Sequence, residues 1–216
     1  MDDRDKEKKI EPEKFCRSFL KKAVQRMKKL TKYTPEKTFT IEKNGFHGSY
    51  YKPEKDNYPG KVLIVFGGSV GSYMLTEMCT GKYYEAGINV MAVAYRDVPG
   101  APDKLQGIPL ELVENAIEWC REYVAKKVAV LMLSAGCDVL LPSEDICKKV
   151  MKRLQEKNFV YPYRYLHYRT ASHYLCPAKP LTAKLFRVER KQPQACDESR
   201  EKAFEDTMKF LKEEWK

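Results

Sequence analysis

The chain has 216 residues, 43% of them hydrophobic and 12% aromatic, and a formal net charge of +10. That composition buries a full core and excludes disorder for the bulk of the chain. Val128 to Leu133 is as long as any unbroken apolar run gets, far short of the roughly 20 residues of a membrane span, and the charged opening Met1-Asp2-Asp3-Arg4-Asp5 lacks the apolar core of a secretion signal.

Two segments carry the excess charge. Residues 1–32 hold 12 Lys/Arg against 6 Asp/Glu, and residues 179–191 hold 5 against 1. Two basic patches on a neutral body do not make a nucleic-acid binder, which is basic across its reading face or carries a reader motif. The seven cysteines are scattered, odd in number and free of CxxC spacing. They suit reduced thiols in a cytoplasmic protein, without a disulfide framework or zinc site. Nothing in the sequence asks for a cofactor or a metal.

Along the chain, Phe15, Phe19, Ala23, Met27 and Leu30 recur at helical spacing, predicting a basic amphipathic helix within a separate segment 1–32. The domain then runs over 33–216. Asn44-Gly45 lies between strand-like segments 38–42 and 46–51 and predicts a β-hairpin. Lys61–Phe66 (KVLIVF), Ile88–Tyr95 (INVMAVAY) and Val128–Leu133 (VAVLML) have the length and composition of buried strands. Tyr161–Tyr168 is a fourth, more polar strand. Helices are predicted after the glycine-rich turn Gly67–Gly71, over Pro109–Tyr123, over Ser143–Lys157 behind Pro142, and over Asp197–Trp215. Residues 176–194, with three prolines, read as a long loop. Strands alternating with helices predict an α/β fold with a mostly parallel sheet, helices on both faces and an N-terminal hairpin.

In parallel sheets, sites form at the carboxyl ends of strands. Three such ends carry reactive residues: Ser69 in Gly67-Gly68-Ser69-Val70-Gly71, Asp138 after the third buried strand, and His173 after the fourth. Ser, Asp, His is the chain order of a hydrolase triad, in which a base takes the hydroxyl proton and a carboxylate orients that base. The glycine turn equally suits anion binding through the backbone N–H groups of Gly68, Ser69 and Val70. His47, His167 and Cys137 read as structural.

KVLIVFGGSVGSY, YYEAGINVMAVAYRD, LQGIPLELVENAIEWC, VLMLSAGCDVLLPSEDICKKVMKRLQEKNF and ASHYLCP resemble the C-terminal domain shared by acyl-CoA thioesterases and bile-acid-CoA:amino-acid N-acyltransferase. That domain is an α/β hydrolase related to dienelactone hydrolase. The resemblance covers about residues 38–215. It implies thioester or ester substrates such as acyl-CoA in fatty-acid metabolism, with transfer of the acyl group to water or an amine. It assigns Asp138 and His173 to the catalytic relay and the 68–70 turn to the oxyanion hole. The basic residues Lys179, Lys184, Arg187, Arg190 and Lys191 would meet the phosphates of coenzyme A. The family's Gly-x-Ser-x-Gly nucleophile segment, expected after the helix of residues 109–123, is missing. The adjacent Asp pair and the Trp that usually precede Pro-Ser are missing too.

Three accounts compete: a shortened pseudoenzyme, a chain in which Ser69 has become the nucleophile, or a fold reused for binding or assembly. Excision of that block would leave INVMAVAY and VAVLML as neighbours or separated by a gap. The reading requires these two strands side by side, with Asp138 and His173 converging near the glycine turn. An exposed apolar edge would favour a homodimer.

Overall fold

The computed structural model describes residues 33–66, 73–104, 106–125, 129–177 and 181–214. The chain divides into two units, Met1–Thr34 and Pro35–Lys216, and the elements below belong to the second. The helix expected over Glu13–Leu30 and the glycine turn with Gly68, Ser69 and Val70 lie outside the described residues.

The α/β architecture is present, with the strands in two sheets. Strand β1 (Lys37–Phe39) pairs antiparallel with β2 (His47–Tyr51). The Asn-Gly signal marks this turn, though not as a two-residue hairpin. A single helical turn, α1 (Ile41–Asn44), fills it, with Thr40 at its N-cap and Gly45 at φ 73° as its left-handed C-cap. Only a residue without Cβ takes that conformation cheaply.

Strand β3 (Val62–Phe66) is followed by helix α2 (Tyr73–Glu85) and strand β4 (Asn89–Ala94). The first sheet has the order β1-β2-β4-β3, and β3 runs parallel to β4. All six residues of β4 are buried. Met91 and Val93 pack with Phe39, Phe46 and Tyr50, and with Ala116 and Cys120 of helix α3 (Glu111–Tyr123). Leu112, Ala116 and Cys120, four apart, form the buried stripe of that helix. Val90, with Ile88 just before the strand, packs on the opposite side with Tyr83 of α2 and with Phe210 and Leu211. Strand β4 thus has helices on both faces.

The second sheet pairs β5 (Val130–Cys137) with β6 (Tyr163–Ser172) in parallel, flanked by helix α4 (Ser143–Glu156). Residues 176–194 are not simply a loop. They hold a 3₁₀ turn (Leu181–Leu185), helix α5 (Arg187–Lys191) and the start of helix α6 (Pro193–Glu214). Pro193 opens α6, where a missing N–H costs nothing. Helix α6 lies along β6: Arg164 pairs with Glu213 at 2.9 Å, Tyr168 donates to Asp206 at 3.1 Å, and Thr170 meets Ser199 at 2.9 Å.

The requirement that INVMAVAY and VAVLML lie side by side is not met, so the reading built on these two strands as neighbours is withdrawn. Any role for Asp138 and His173 rests on the pairing of β5 with β6 alone. Strand β4 is enclosed by β2 and β3, while β5 pairs with β6. The order in the first sheet doubles back, so the strand left at its edge is β3 rather than β4. Leu63 and Val65 of β3 share an apolar cluster with Ala129 and with Leu131 of β5. Among the described residues no backbone ladder joins these two strands. No described helix is long and apolar enough to cross a membrane.

Candidate functional site

Strands β5 and β6 end at the same height. Cys137 stands opposite Ser172 in the register, so Asp138 and His173 each lie one residue beyond a matched pair. A register shift produces this match. Between the pairs Ala135–Tyr168 and Cys137–Ser172, two steps on β5 correspond to four on β6. Gly136 sits at the shift. A Cβ there would lie 2.4 Å from the carbonyl oxygen of Arg169, so the two backbones approach as closely as glycine alone permits.

The turn after β5 is tied back on itself. Ser143, the first residue of α4, accepts from the Ala135 N–H at 3.2 Å and donates to the Ala135 carbonyl at 3.3 Å. Asp138 closes the turn: its Oδ1 accepts the N–H groups of Leu140 and Leu141, each at 3.0 Å. The same oxygen lies 2.9 Å from Nδ1 of His173. A turn cap and a partner for histidine are therefore one carboxylate oxygen. The Asp138 and His173 side chains are 5% and 10% exposed, so the pair is shielded from bulk water.

Burial alone would push the Asp138 carboxyl upward. The hydrogen bond and charge of His173 and the N–H groups of Leu141 and Leu140 outweigh it, and hold the carboxyl below its ordinary range. Asp138 is an ionised acceptor that fixes one imidazole nitrogen as donor. Phe186 stacks on the imidazole with ring centroids 6.0 Å apart, and Tyr174 meets it edge-on at 5.6 Å.

The remaining expected site residues are scattered. Gly68, Ser69 and Val70 lie outside the described residues, so the triad's first member has no position here. Lys184, Arg187 and Arg190 are exposed on the segment after His173. Nη1 of Arg190 donates to the carbonyls of Lys184 and Leu185 at 2.9 and 2.8 Å. His47 sits on β2, edge-on to Tyr73 at 5.1 Å. Burial lowers its pKa, with the Glu77 carboxylate pulling the other way. The Cys137 thiol donates to the Arg169 carbonyl at 3.5 Å. No disulfide joins the six described cysteines, and no cluster of three or more metal-ligating side chains occurs among the described residues.

One constellation has no counterpart among the sequence expectations. Ser134 Oγ lies 2.8 Å from Nδ1 of His167 and 2.8 Å from the Tyr165 hydroxyl, and His167 Nε2 is 3.9 Å from Glu144. Serine, histidine and acid are all there, but Ser134 is 1% exposed. A sealed hydroxyl meets no substrate, and these bonds tie β5 to β6. The sequence holds a faint signal, since His167 faces Ser134 once the two strands are paired in this register.

No family model matches the chain, and no curated protein does. Among solved structures it is similar to an alpha-beta serine hydrolase homologue from Coxiella burnetii, at 11% identity and a TM-score of 0.43. That match covers 76% of this chain and 98% of that chain.

Proposed function

We propose that the chain is an α/β-hydrolase-type protein for thioester or ester substrates, with Asp138 and His173 as its acid–base pair. One observation carries the reading: a shielded carboxylate 2.9 Å from an imidazole nitrogen, just beyond the carboxyl ends of two adjacent parallel strands. Carboxylate and imidazole in this relation orient a general base.

Ser69 is the proposed nucleophile, and the N–H groups of residues 68–70 the proposed oxyanion donors. In the reaction, the Ser69 hydroxyl attacks the thioester carbonyl while His173 takes its proton. The carbon–sulfur bond breaks, and His173 returns the proton to the leaving thiolate. Water, activated by the same imidazole, then hydrolyses the acyl-enzyme. An amine in place of water gives acyl transfer. Lys184, Arg187 and Arg190 are proposed to meet substrate phosphates.

A second reading is favoured by the flanks of β3 and β5, which no ladder joins among the described residues. A strand block is missing at this place relative to the resembled family. In that reading the fold is kept for binding or assembly without turnover, and a second copy of the chain adds at the β3 edge. A serine-directed fluorophosphonate, read by peptide mass spectrometry, separates the two. Labelling at Ser69 that vanishes in His173→Gln supports the hydrolase. A folded chain that takes no label, and leaves acyl-CoA thioesters intact, supports the non-catalytic reading.

A further inference from the structure

Behind His173 lies a charged network that the acid–base pair does not use. Glu189 of α5 and Arg200 of α6 have side chains 1% and 4% exposed. They pair through both guanidinium nitrogens, Nη1 to Oε1 at 2.6 Å and Nη2 to Oε2 at 3.2 Å. Arg200 Nη2 also reaches the carboxylate of Asp197.

Further bonds of this pair reach the two residues that flank His173. Arg200 Nη1 donates to the carbonyl of Tyr174 at 3.3 Å. The Ser172 hydroxyl donates to Glu189 and accepts the Tyr174 N–H at 3.2 Å. Residue 172 is held by the glutamate, residue 174 by the arginine, and the histidine sits between them. Phe186, which stacks on the imidazole, immediately precedes the helix that carries Glu189. Apolar pairs of similar volume often fill such places at equal or greater stability, because two buried charges lose their hydration. Stability alone does not account for the ions. The pair also makes directed bonds to the residues on either side of one histidine, to the Tyr174 carbonyl and the Ser172 hydroxyl.

We propose that Glu189 and Arg200 are positioning residues that set the His173 imidazole against Asp138. The proposal rests on the reading of Asp138 and His173 as an acid–base pair. Arg200 holds the Tyr174 carbonyl, and Glu189 holds the Ser172 hydroxyl that in turn accepts the N–H of the peptide after His173, so the pair restrains the direction from which the ring leaves the backbone. Lys in place of Arg200 supplies one charge but cannot make the bidentate contact and reach the carbonyl together.

The test uses the full chain, labelled with ¹⁵N-histidine, and follows the imidazole N–H proton that His173 shares with Asp138. Asp138→Asn and His173→Gln identify its resonance. The double variant Glu189→Met/Arg200→Leu removes both charges and keeps the packing. It is expected to melt cooperatively yet lose this resonance to exchange. Ser172→Ala removes the hydroxyl and both of its bonds and is expected to speed exchange of the proton about fivefold. It decides the matter should the double variant fail to fold. Arg200→Lys is expected to exchange faster than the native chain as well. Unchanged exchange in a folded double variant, or in Ser172→Ala, overturns the proposal. A native chain without the resonance overturns the acid–base reading itself, and this proposal with it.

Discussion

All six residues of β4 are buried, whereas the first four residues of β5, Val130 to Leu133, are only half-buried. Both strands are apolar, and their surroundings differ. Strand β4 has a neighbour on each side and helices on each face. Strand β5 has one neighbour among the described residues, and its carboxyl end is held by polar bonds: Ser143 on Ala135, Asp138 on its own turn, Ser134 on His167. The first sheet is stabilised by apolar area removed from water, at about 25 cal/mol per Å². The second relies more on directed contacts, which bring Asp138 and His173 together. Apolar burial is concentrated in one region and directed polar contacts in the other.

The largest effect expected from breaking this division lies in the second region. Arg200→Met alone strands the Glu189 charge in the interior and is expected to cost about 3–5 kcal/mol, read by urea unfolding. Glu189→Met/Arg200→Leu is expected to recover most of that loss. In the first region, Met91→Ala opens a cavity in the Phe39–Phe46 cluster and is expected to cost about 2–5 kcal/mol. It should leave the His173–Asp138 resonance unmoved. Met132→Ala, the matching change on half-buried β5, should cost about half as much. Equal losses at 91 and 132 would erase the contrast between the two strands.

Asp138→Asn is expected to cost about 1–3 kcal/mol at neutral pH. The Asp138 carboxyl is held below its ordinary value of 3.8. Its contribution is therefore complete above that value and is lost as pH falls through the lower, folded-state value. Native stability should fall across that acid window, and Asp138→Asn should lack this share of the slope, measured by urea melts at a series of pH values. The smallest effect is expected at the exposed pair of Lys148 with Glu144, 2.6 Å apart on α4. Lys148→Ala should leave the urea midpoint nearly unchanged, because solvent screens an exposed pair.

Much of the fold is legible in the sequence because the apolar strands are short, β-branched and bounded by turns. Strands β3, β4 and β5 fall within or begin within KVLIVF, INVMAVAY and VAVLML. Residues 176–194 read as a loop because prolines weigh that way, yet one of them, Pro193, begins a helix. Strand β6 runs on to Ser172, beyond the expected Tyr168, since backbone pairing carries it through polar residues that composition alone assigns to a loop. Pairing of β4 with β5 is what chain order suggests, whereas the sheet order doubles back. At the site, Asp138 and His173 are legible as residues placed after strands. The register shift at Gly136 that sets them level is not, because it depends on how two strands align. Glu189 and Arg200 stay hidden for a related reason: charged residues on helices read as surface, and only the fold buries them together.

The central claim is that Asp138 makes His173 a base by holding the proton on Nδ1. The ¹⁵N shifts of the His173 imidazole at neutral pH test it most directly. The expected result is a proton on Nδ1 and an unprotonated Nε2, with that preference lost in Asp138→Asn. A native imidazole with its proton on Nε2, or one whose tautomer does not respond to Asp138→Asn, would contradict it.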